Sequence, residues 1–281
     1  MLRQQLIFQS VAPHYRPGDS AWLDLNGFRK LHKQHKMKNL NGKVALITGG
    51  NSGIGYSVAK ELGTNGARVI ITGRRKDAVE KAASELGALS FVADQSEVAA
   101  IESLAVDILQ QVGKIDILVI NAGVSKLTTI QDATESLFNE VIGLNLKGAY
   151  FTLSRFIPVL KDGGSVVLIS SSSASTSKPQ TSIYSASKTA LNTVMKIAAV
   201  ELAPRRIRVN AVSPGPFATE IMAKAGLTDQ KMQDFIIAGV PLGRLGIPAE
   251  AGKLVSFLAS DDAAFITGAE YLIDGGQSLN Q

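Results

Sequence analysis

The sequence of 281 residues contains no cysteine, and its three histidines, His14, His32 and His35, all precede residue 43. Disulfides, thiolate metal sites and a cysteine nucleophile are therefore excluded, and the absence fits a reducing compartment, so we predict a cytoplasmic location. The lack of histidine after residue 42 excludes a Ser-His-Asp triad there and predicts no bound metal. No run approaches the roughly 18 consecutive apolar residues that a membrane span needs.

Net charge is also missing from most of the chain. Of the 29 basic and 24 acidic residues, seven and two lie in 1–42, so the remainder holds 22 of each. A basic patch for nucleic acid is therefore not predicted for the main part of the chain. We expect residues 1–42 to form a basic, flexible or dispensable extension, because the segment from Met37 onward reads as a natural start of a domain. A secretory signal is not expected, since no continuous apolar region is present, and two acidic residues argue against a mitochondrial presequence.

From residue 43 onward, short β-rich runs alternate with stretches of helical periodicity. Seven such runs occur, namely KVALIT, RVIIT, LSFVA, IDILVI, SVVLIS, RIRVNAV and EYLID. Apolar residues recur at helical spacing between them, as from Ile54 to Leu62. Strands separated by helices imply right-handed βαβ units and a parallel sheet covered on both faces. The sequence thus predicts one α/β domain over 43–281, a doubly wound Rossmann-type fold with a mainly parallel seven-stranded sheet.

The segment TGGNSGIG at 48–55 falls directly between the first predicted strand and the first predicted helix. Its glycines permit a tight turn and close backbone approach, and the helix N-terminus offers N–H groups and a positive dipole end to a pyrophosphate. A glycine cluster alone is weak evidence, because any strand-to-helix turn can use glycine. Its place after the first strand predicts cofactor contacts from Gly49, Asn51, Ser52, Gly53, Ile54 and Gly55.

The end of the second predicted strand bears on which cofactor binds. An NAD-binding protein places a carboxylate for the ribose 2′-OH about 20 residues after the glycine turn. Here that position is Gly73, and Arg74 and Arg75 follow it. A guanidinium matches a phosphate, whereas a carboxylate repels one. We therefore expect NADP(H) to be preferred and NAD(H) to be possible; the alternative is that both arginines only begin a solvated helix.

The segment YSASK at 184–188 places a phenol and an ammonium four residues apart on a predicted helix. Side chains at this spacing are neighbours on any helix, so the pair alone is more often a surface pair. The functional alternative is a proton donor, Tyr184, whose pKa is lowered by the Lys188 cation. In that interpretation Ser185, Ala186 and Ser187 are spacers.

Five motifs together resemble those of the short-chain dehydrogenase/reductase family. TGGNSGIG resembles its TGxxxGxG, NAG at 121–123 its NNAG, ISSSSAS at 169–175 its serine-bearing strand end, YSASK its YxxxK, and VNAVSPGPFAT at 209–219 its PGxxxT segment. The resemblance covers roughly 43–276 and includes 3-oxoacyl-thioester reductases and glucose or alcohol dehydrogenases. One departure is Ile120, where the family often has a second asparagine.

The resemblance implies roles for single positions. Tyr184 would be the general acid/base, with Lys188 beside it reaching the nicotinamide ribose, and Ser171 would hydrogen-bond the substrate oxygen. Asn145 would hold a proton-relay water. Further cofactor contacts are implied for Asp94, Gln95, Asn121, Ala122, Gly123, Pro214, Gly215 and Thr219, with Asp94 at the adenine amino group and Thr219 at the nicotinamide carboxamide.

These expectations predict an NADP(H)-dependent oxidoreductase that interconverts a ketone or aldehyde with an alcohol by hydride transfer. The alternatives are an NAD-dependent sugar or alcohol dehydrogenase of the same family, or a non-catalytic cofactor-sensing protein, which should have lost Tyr184. A sugar-nucleotide epimerase is disfavoured, because the chain after Lys188 is too short for its larger substrate region.

The predicted partner is a small carbonyl or alcohol substrate, with no specific nucleic acid and no membrane span. Residues 216–241 are expected to form a substrate flap. Its apolar lining would come from Ile221, Met222, Phe235, Ile236 and Ile237. The family resemblance also implies a homotetramer or homodimer, assembled through predicted helices at 130–160 and 184–203.

Overall fold

The structure is a computed structural model that describes residues 40–219 and 229–280. Most of the predicted N-terminal extension, and Ile221 and Met222 of the predicted flap, lie outside these residues.

One sheet of seven parallel strands organises the described chain. The strands are β1 (Val44–Thr48), β2 (Arg68–Gly73), β3 (Leu89–Val92), β4 (Ile115–Ile120), β5 (Leu160–Ile169), β6 (Arg208–Pro214) and β7 (Glu270–Ile273). Their order across the sheet is β3-β2-β1-β4-β5-β6-β7, with every neighbouring pair parallel. The predicted doubly wound α/β fold is confirmed.

Helices connect the strands and cover both faces of the sheet. They are α1 (Gly53–Thr64), α2 (Lys76–Leu86), α3 (Val98–Gln111), α4 (Glu135–Ile142), α5 (Ala149–Phe156), α6 (Ser182–Leu202), α7 (Gln230–Ala238) and α8 (Pro248–Ala259). A π-helical turn, Gly143–Gly148, joins α4 to α5.

The core is divided between the two faces by the alternation of strand side chains. In β1, Leu46 packs into the core beneath α3, α5 and α6, whereas Ala45 and Ile47 pack into the core beneath α1, α2 and α8. Successive residues of a strand point to opposite faces, and a strand covered on both faces is apolar at every position. This explains why the predicted strands read as continuous apolar runs.

The strand order reverses between β1 and β4, since the chain runs outward from β1 to β3 and then returns to the other side of β1. In open α/β sheets, ligands bind in the crevice beyond the carboxyl ends of the strands at such a reversal. The glycine turn follows β1 and the NAG segment follows β4. Asn121 closes this seam: its backbone N–H donates to Thr48 Oγ1 at 2.9 Å and its side-chain amide to the Thr48 carbonyl at 3.0 Å.

Candidate active site

The glycine turn has a shape that only glycine provides. Gly49 and Gly53 have φ angles of 63° and 57°, in the left-handed region. A Cβ at Gly55 would overlap the Gly49 carbonyl oxygen and the Asn121 amide. The preceding residue, Ser52, makes no side-chain cap to α1, so the amides of the first turn remain available to an anion. This arrangement fits a pyrophosphate.

A cavity of about 200 Å³ lies beyond the ends of β2 and β3. Its walls are Arg74, Asp94, Ser96, Glu97, Val124, Asn139, Glu140, Gly143, Leu144 and Lys147; we call it the adenosine cavity, after the ligand portion proposed below. Arg74 and Asp94 were predicted as cofactor residues, but the wall from α4 and the π-helical turn was not. No pattern in the sequence indicates that α4 folds over the end of β3.

Asp94 is held in the ionised form at this cavity. Burial raises its pKa, but hydrogen bonds from the Ser96 backbone and hydroxyl, at 2.9 and 2.8 Å, and the nearby Arg74 charge outweigh burial and lower it. Arg75 is exposed and immediately precedes α2. Asn51 lies against the end of β2, because a Cβ at Gly73 would be 2.7 Å from its Oδ1.

The NAG segment at 121–123 supports the glycine turn through hydrogen bonds. Asn121 also donates to the Gly49 carbonyl at 3.1 Å, and the Ala122 N–H donates to Thr48 Oγ1 at 3.1 Å. Asn121 therefore supports the glycine turn through its side chain. A Cβ at Gly123 would be 3.1 Å from Asn145 Oδ1 and 3.6 Å from Lys188 Nζ, so the backbone there passes close to two predicted catalytic residues.

Tyr184, Lys188 and Ser171 come together between α6 and the end of β5. α6 begins at Ser182, which places Tyr184 and Lys188 on adjacent turns of its first part. Lys188 is only 5% exposed; its Nζ donates to the Ile169 carbonyl at 2.9 Å and lies 5.9 Å from the centre of the Tyr184 ring. The Ser171 side chain hydrogen-bonds Tyr184. The burial of Lys188 excludes the interpretation that Tyr184 and Lys188 form an ordinary surface pair. A buried ammonium is rare and costly.

Burial governs the protonation of this group. It raises the pKa of Tyr184, which the Ser171 hydrogen bond lowers only in part, and it lowers the pKa of Lys188 to about 8. The net pKa of Tyr184 is therefore raised in the protein chain itself, and the lowering by Lys188 stays a prediction. Removal of the phenolate from water is the larger of the two effects, because burial disfavours the charged form.

Asn145 lies in the π-helical turn and is 1% exposed. Its Oδ1 accepts from the Val124 N–H at 2.8 Å, and its Nδ2 donates to the Val124 carbonyl at 2.9 Å and to Ser187 Oγ at 3.3 Å. Both amide protons are thus used within the protein, and the relay water implied for Asn145 stays a prediction. The observed role of the side chain is to join the segment after β4 to α6. π-Helical turns occur frequently at functional sites.

Ser187 is more than a spacer. It is fully buried, accepts from Asn145, and donates to the Tyr184 carbonyl at 2.6 Å. It therefore links Asn145 to the turn of α6 that carries Tyr184. A serine within a helix gives no sequence signal for this contact, because its partner is 42 residues away.

Another wall of the candidate site is formed by the chain that follows β6. A Cβ at Gly215 would be 2.6 Å from Asp274 Cβ, so the backbone there has no room for a side chain. Thr219 lies near the glycine turn, 3.8 Å from where a Cβ of Gly53 would be. In the described part of the predicted flap, Phe235 is 78% exposed, and Ile236 and Ile237 are half-buried. The covering of a substrate by this segment stays a prediction.

Among the described residues, no helix combines the length and apolarity needed to cross a bilayer.

Comparison with known proteins shows the family. A family model described as enoyl-(acyl carrier protein) reductase matches residues 49–278. The L-rhamnose 1-dehydrogenase (NAD(P)(+)) of Azotobacter vinelandii is 36% identical over 250 residues, covering 85% of this chain and 97% of the relative.

Comparison with solved structures gives the same family. A short-chain dehydrogenase/reductase family protein superposes with a TM-score of 0.78 at 35% identity, over 86% of this chain and 99% of its own. The 3-ketoacyl-(acyl-carrier-protein) reductase of Brucella melitensis, solved with NADH, gives a TM-score of 0.80 at 34% identity, over 85% of this chain and 99% of its own. The chain belongs to the short-chain dehydrogenase/reductase family of oxidoreductases.

Proposed function

We propose that this protein is an NADP(H)-dependent oxidoreductase that interconverts a ketone or aldehyde with the corresponding alcohol. The observation that carries the proposal is the Ser171, Tyr184 and Lys188 group at the carboxyl end of β5. It lies on the same edge of the sheet as the glycine turn. A proton donor and a dinucleotide cradle at one edge match the two needs of carbonyl reduction.

A nicotinamide dinucleotide fits the residues present. The glycine turn and the first turn of α1 would hold its pyrophosphate, the adenosine cavity its adenosine half, and Pro214, Gly215 and Thr219 would border the nicotinamide. The backbone at Gly49, Gly55 and Gly215 packs too closely against neighbouring protein atoms for any side chain, so glycine keeps these two walls of the site compact. When bound, the nicotinamide supplies or accepts the hydride.

The side chains handle the proton. Because burial raises the pKa of Tyr184, its hydroxyl stays protonated at neutral pH and can act as the acid when a carbonyl is reduced. The Ser171 hydroxyl would hydrogen-bond the same substrate oxygen as negative charge develops on it. Lys188, with a pKa of about 8, is largely protonated at pH 7 and stabilises the phenolate that remains after transfer.

The preference for NADP(H) rests on Arg74 and Arg75. No carboxylate ends β2, and neither arginine forms an ion pair within 4 Å in the part of the chain that the structure describes, so both guanidinium groups remain available to a 2′-phosphate. The second candidate is an NAD-dependent sugar or alcohol dehydrogenase. It is favoured by the L-rhamnose dehydrogenase, whose name includes both cofactors, and by the Brucella reductase, which was solved with NADH.

The test is oxidation of NADPH and of NADH, followed by absorbance, with 3-oxoacyl thioesters, oxidised sugars and simple ketones. Tyr184→Phe should abolish turnover of any active substrate while NADPH still binds, measured by fluorescence titration. An active Tyr184→Phe protein would refute the proposed acid. Binding of NADPH without turnover of any carbonyl in the parent protein would favour the cofactor-sensing alternative.

We also propose a homotetramer or homodimer, as first expected from the sequence. The proposal is supported by apolar side chains left uncovered on α4, α5 and α6, among them Phe138 at 48%, Tyr150 at 50% and Val200 at 75% exposure. A cytoplasmic location is proposed from the lack of cysteine, and cell fractionation would test it.

A further inference from the structure

A tight backbone contact joins two walls of the adenosine cavity, the segment after β3 and the π-helical turn. Gln95 follows Asp94 at the rim of the cavity and is 4% exposed. Its Oε1 accepts from Thr152 Oγ1 of α5 at 2.9 Å, and a Cβ added at Gly148 would overlap its main-chain carbonyl oxygen. The segment after β3 is therefore seated directly on the last residue of the turn, with no side chain between them.

The same turn leads to the catalytic group. Its member Asn145 bonds Val124 on one side and Ser187 on the other, and Ser187 bonds the Tyr184 carbonyl. A continuous series of buried contacts thus runs from the cavity wall to the helix turn that carries Tyr184. Packed interiors transmit small displacements, because they contain little free space to absorb them.

We propose that Gln95 and Gly148 are positioning residues, whose contact couples occupancy of the adenosine cavity to the placement of Asn145 and Tyr184. The inference rests on the proposed function, because it takes the cavity to receive the adenosine half of the cofactor. In this arrangement the adenosine half contributes to turnover as well as to affinity, although it lies away from the reacting atoms. Binding of a remote part of a ligand can be used in this way to orient the reacting groups.

The decisive variant is Gly148→Ala, because its methyl group must displace the Gln95 backbone or the turn itself. We expect a higher KM for NADPH together with a kcat about tenfold lower, within the roughly hundredfold loss that a 1 Å misplacement can cause. The matched control is Gly63→Ala, also a helical glycine, whose methyl would meet only Val69 at 3.5 Å. It should leave kcat and KM unchanged. A Gly148→Ala protein that raises KM alone would overturn the proposal.

A readout independent of turnover uses adenosine 2′-monophosphate, which carries the adenosine and the 2′-phosphate but no nicotinamide. In the parent protein it should slow hydrogen–deuterium exchange at 94–97, at 143–148 and also at 182–190, and Gly148→Ala should lose the effect at 182–190. Slowing confined to the first two segments in the parent, or equal slowing at 182–190 in both proteins, would overturn the coupling. If the coupling appears although no carbonyl is reduced, the proposed function fails and the linkage stands.

Should Gly148→Ala fail to fold, Thr152→Val offers a milder test. It removes the hydrogen bond that the Gln95 side chain accepts from Thr152, without adding volume. The loss of coupling at 182–190 should then be partial. Full coupling in this variant, with an intact fold by circular dichroism, would count against a role for Gln95.

Discussion

Replacing Lys188 by Met should separate the stability of this protein from its activity. Met keeps an unbranched side chain that is one atom shorter and removes the ammonium of Lys188, a residue that is 5% exposed in the parent. Activity should be lost, because the phenolate of Tyr184 would have no cation beside it. The free energy of unfolding, in contrast, should be unchanged or higher at pH 7.

The magnitude follows from the pKa of Lys188, which burial lowers from the ordinary 10.5 to about 8. At about 1.4 kcal/mol per pKa unit, holding the ammonium in the folded chain costs roughly 3 kcal/mol at neutral pH. Loss of the hydrogen bond to the Ile169 carbonyl, 2.9 Å in the parent, costs about 1–3 kcal/mol. The variant should therefore be between about equal to the parent and about 2 kcal/mol more stable at pH 7.

The pH dependence is the sharper test. Because the folded pKa lies below the unfolded one, the unfolded chain binds more protons between pH 8 and 10.5, and the parent gains stability as pH rises through that window. The stability of the variant minus that of the parent should therefore fall by about 2–3 kcal/mol between pH 7 and pH 10. Urea unfolding followed by circular dichroism measures this difference. The control is Lys196→Met, which replaces an exposed lysine on the same helix. The reasoning would be refuted if the stability difference between Lys188→Met and the parent changed no more with pH than the difference between the control and the parent.

Two further outcomes are expected. Arg74→Ala with Arg75→Ala should raise the KM for NADPH at least tenfold, because a charge-assisted contact to phosphate is worth about 1.5–3 kcal/mol, while the KM for NADH changes little; equal changes for both cofactors in steady-state kinetics would contradict the phosphate role. Light scattering should give the mass of two or four chains, and replacing Phe138 and Tyr150 together by Ser should lower it, since both are about half exposed; a monomeric parent protein would rule out the proposed assembly.

The sequence predicted the fold well because a sheet covered on both faces needs apolar runs, and these are visible without any structure. It missed the beginning of β5, which was expected at residue 165 but starts at Leu160. The segment KDGG at 161–164 looks like a turn, with Gly163 at a φ of 76°. It is instead part of the strand, and the register with β4 shifts there between Ile115 and Ile117. Glycine in a strand often marks such an irregularity.

The site residues were predictable to the extent that neighbours in the chain define them. The glycine turn and the YSASK helix turn are local, so their spacing carries information. The contacts of Ser187, Gln95 and Gly148 join segments distant in the chain, and only the folded topology brings them together. The pKa of Tyr184 depends on burial, which charge spacing along the sequence does not report.

The seam between β1 and β4 has a consequence for how the protein forms. The bonds of Asn121 to Thr48 join residues 73 positions apart, and the chain between the two strands contains α1, β2, α2, β3 and α3. Contacts between such distant positions form slowly, because a long loop must close before any contact rewards it. During synthesis, the dinucleotide cradle therefore stays incomplete until β4 has been made and has inserted beside β1. Tyr184 lies still later in the chain, so the proposed cofactor site and the proposed proton donor come together only after α6 has been made.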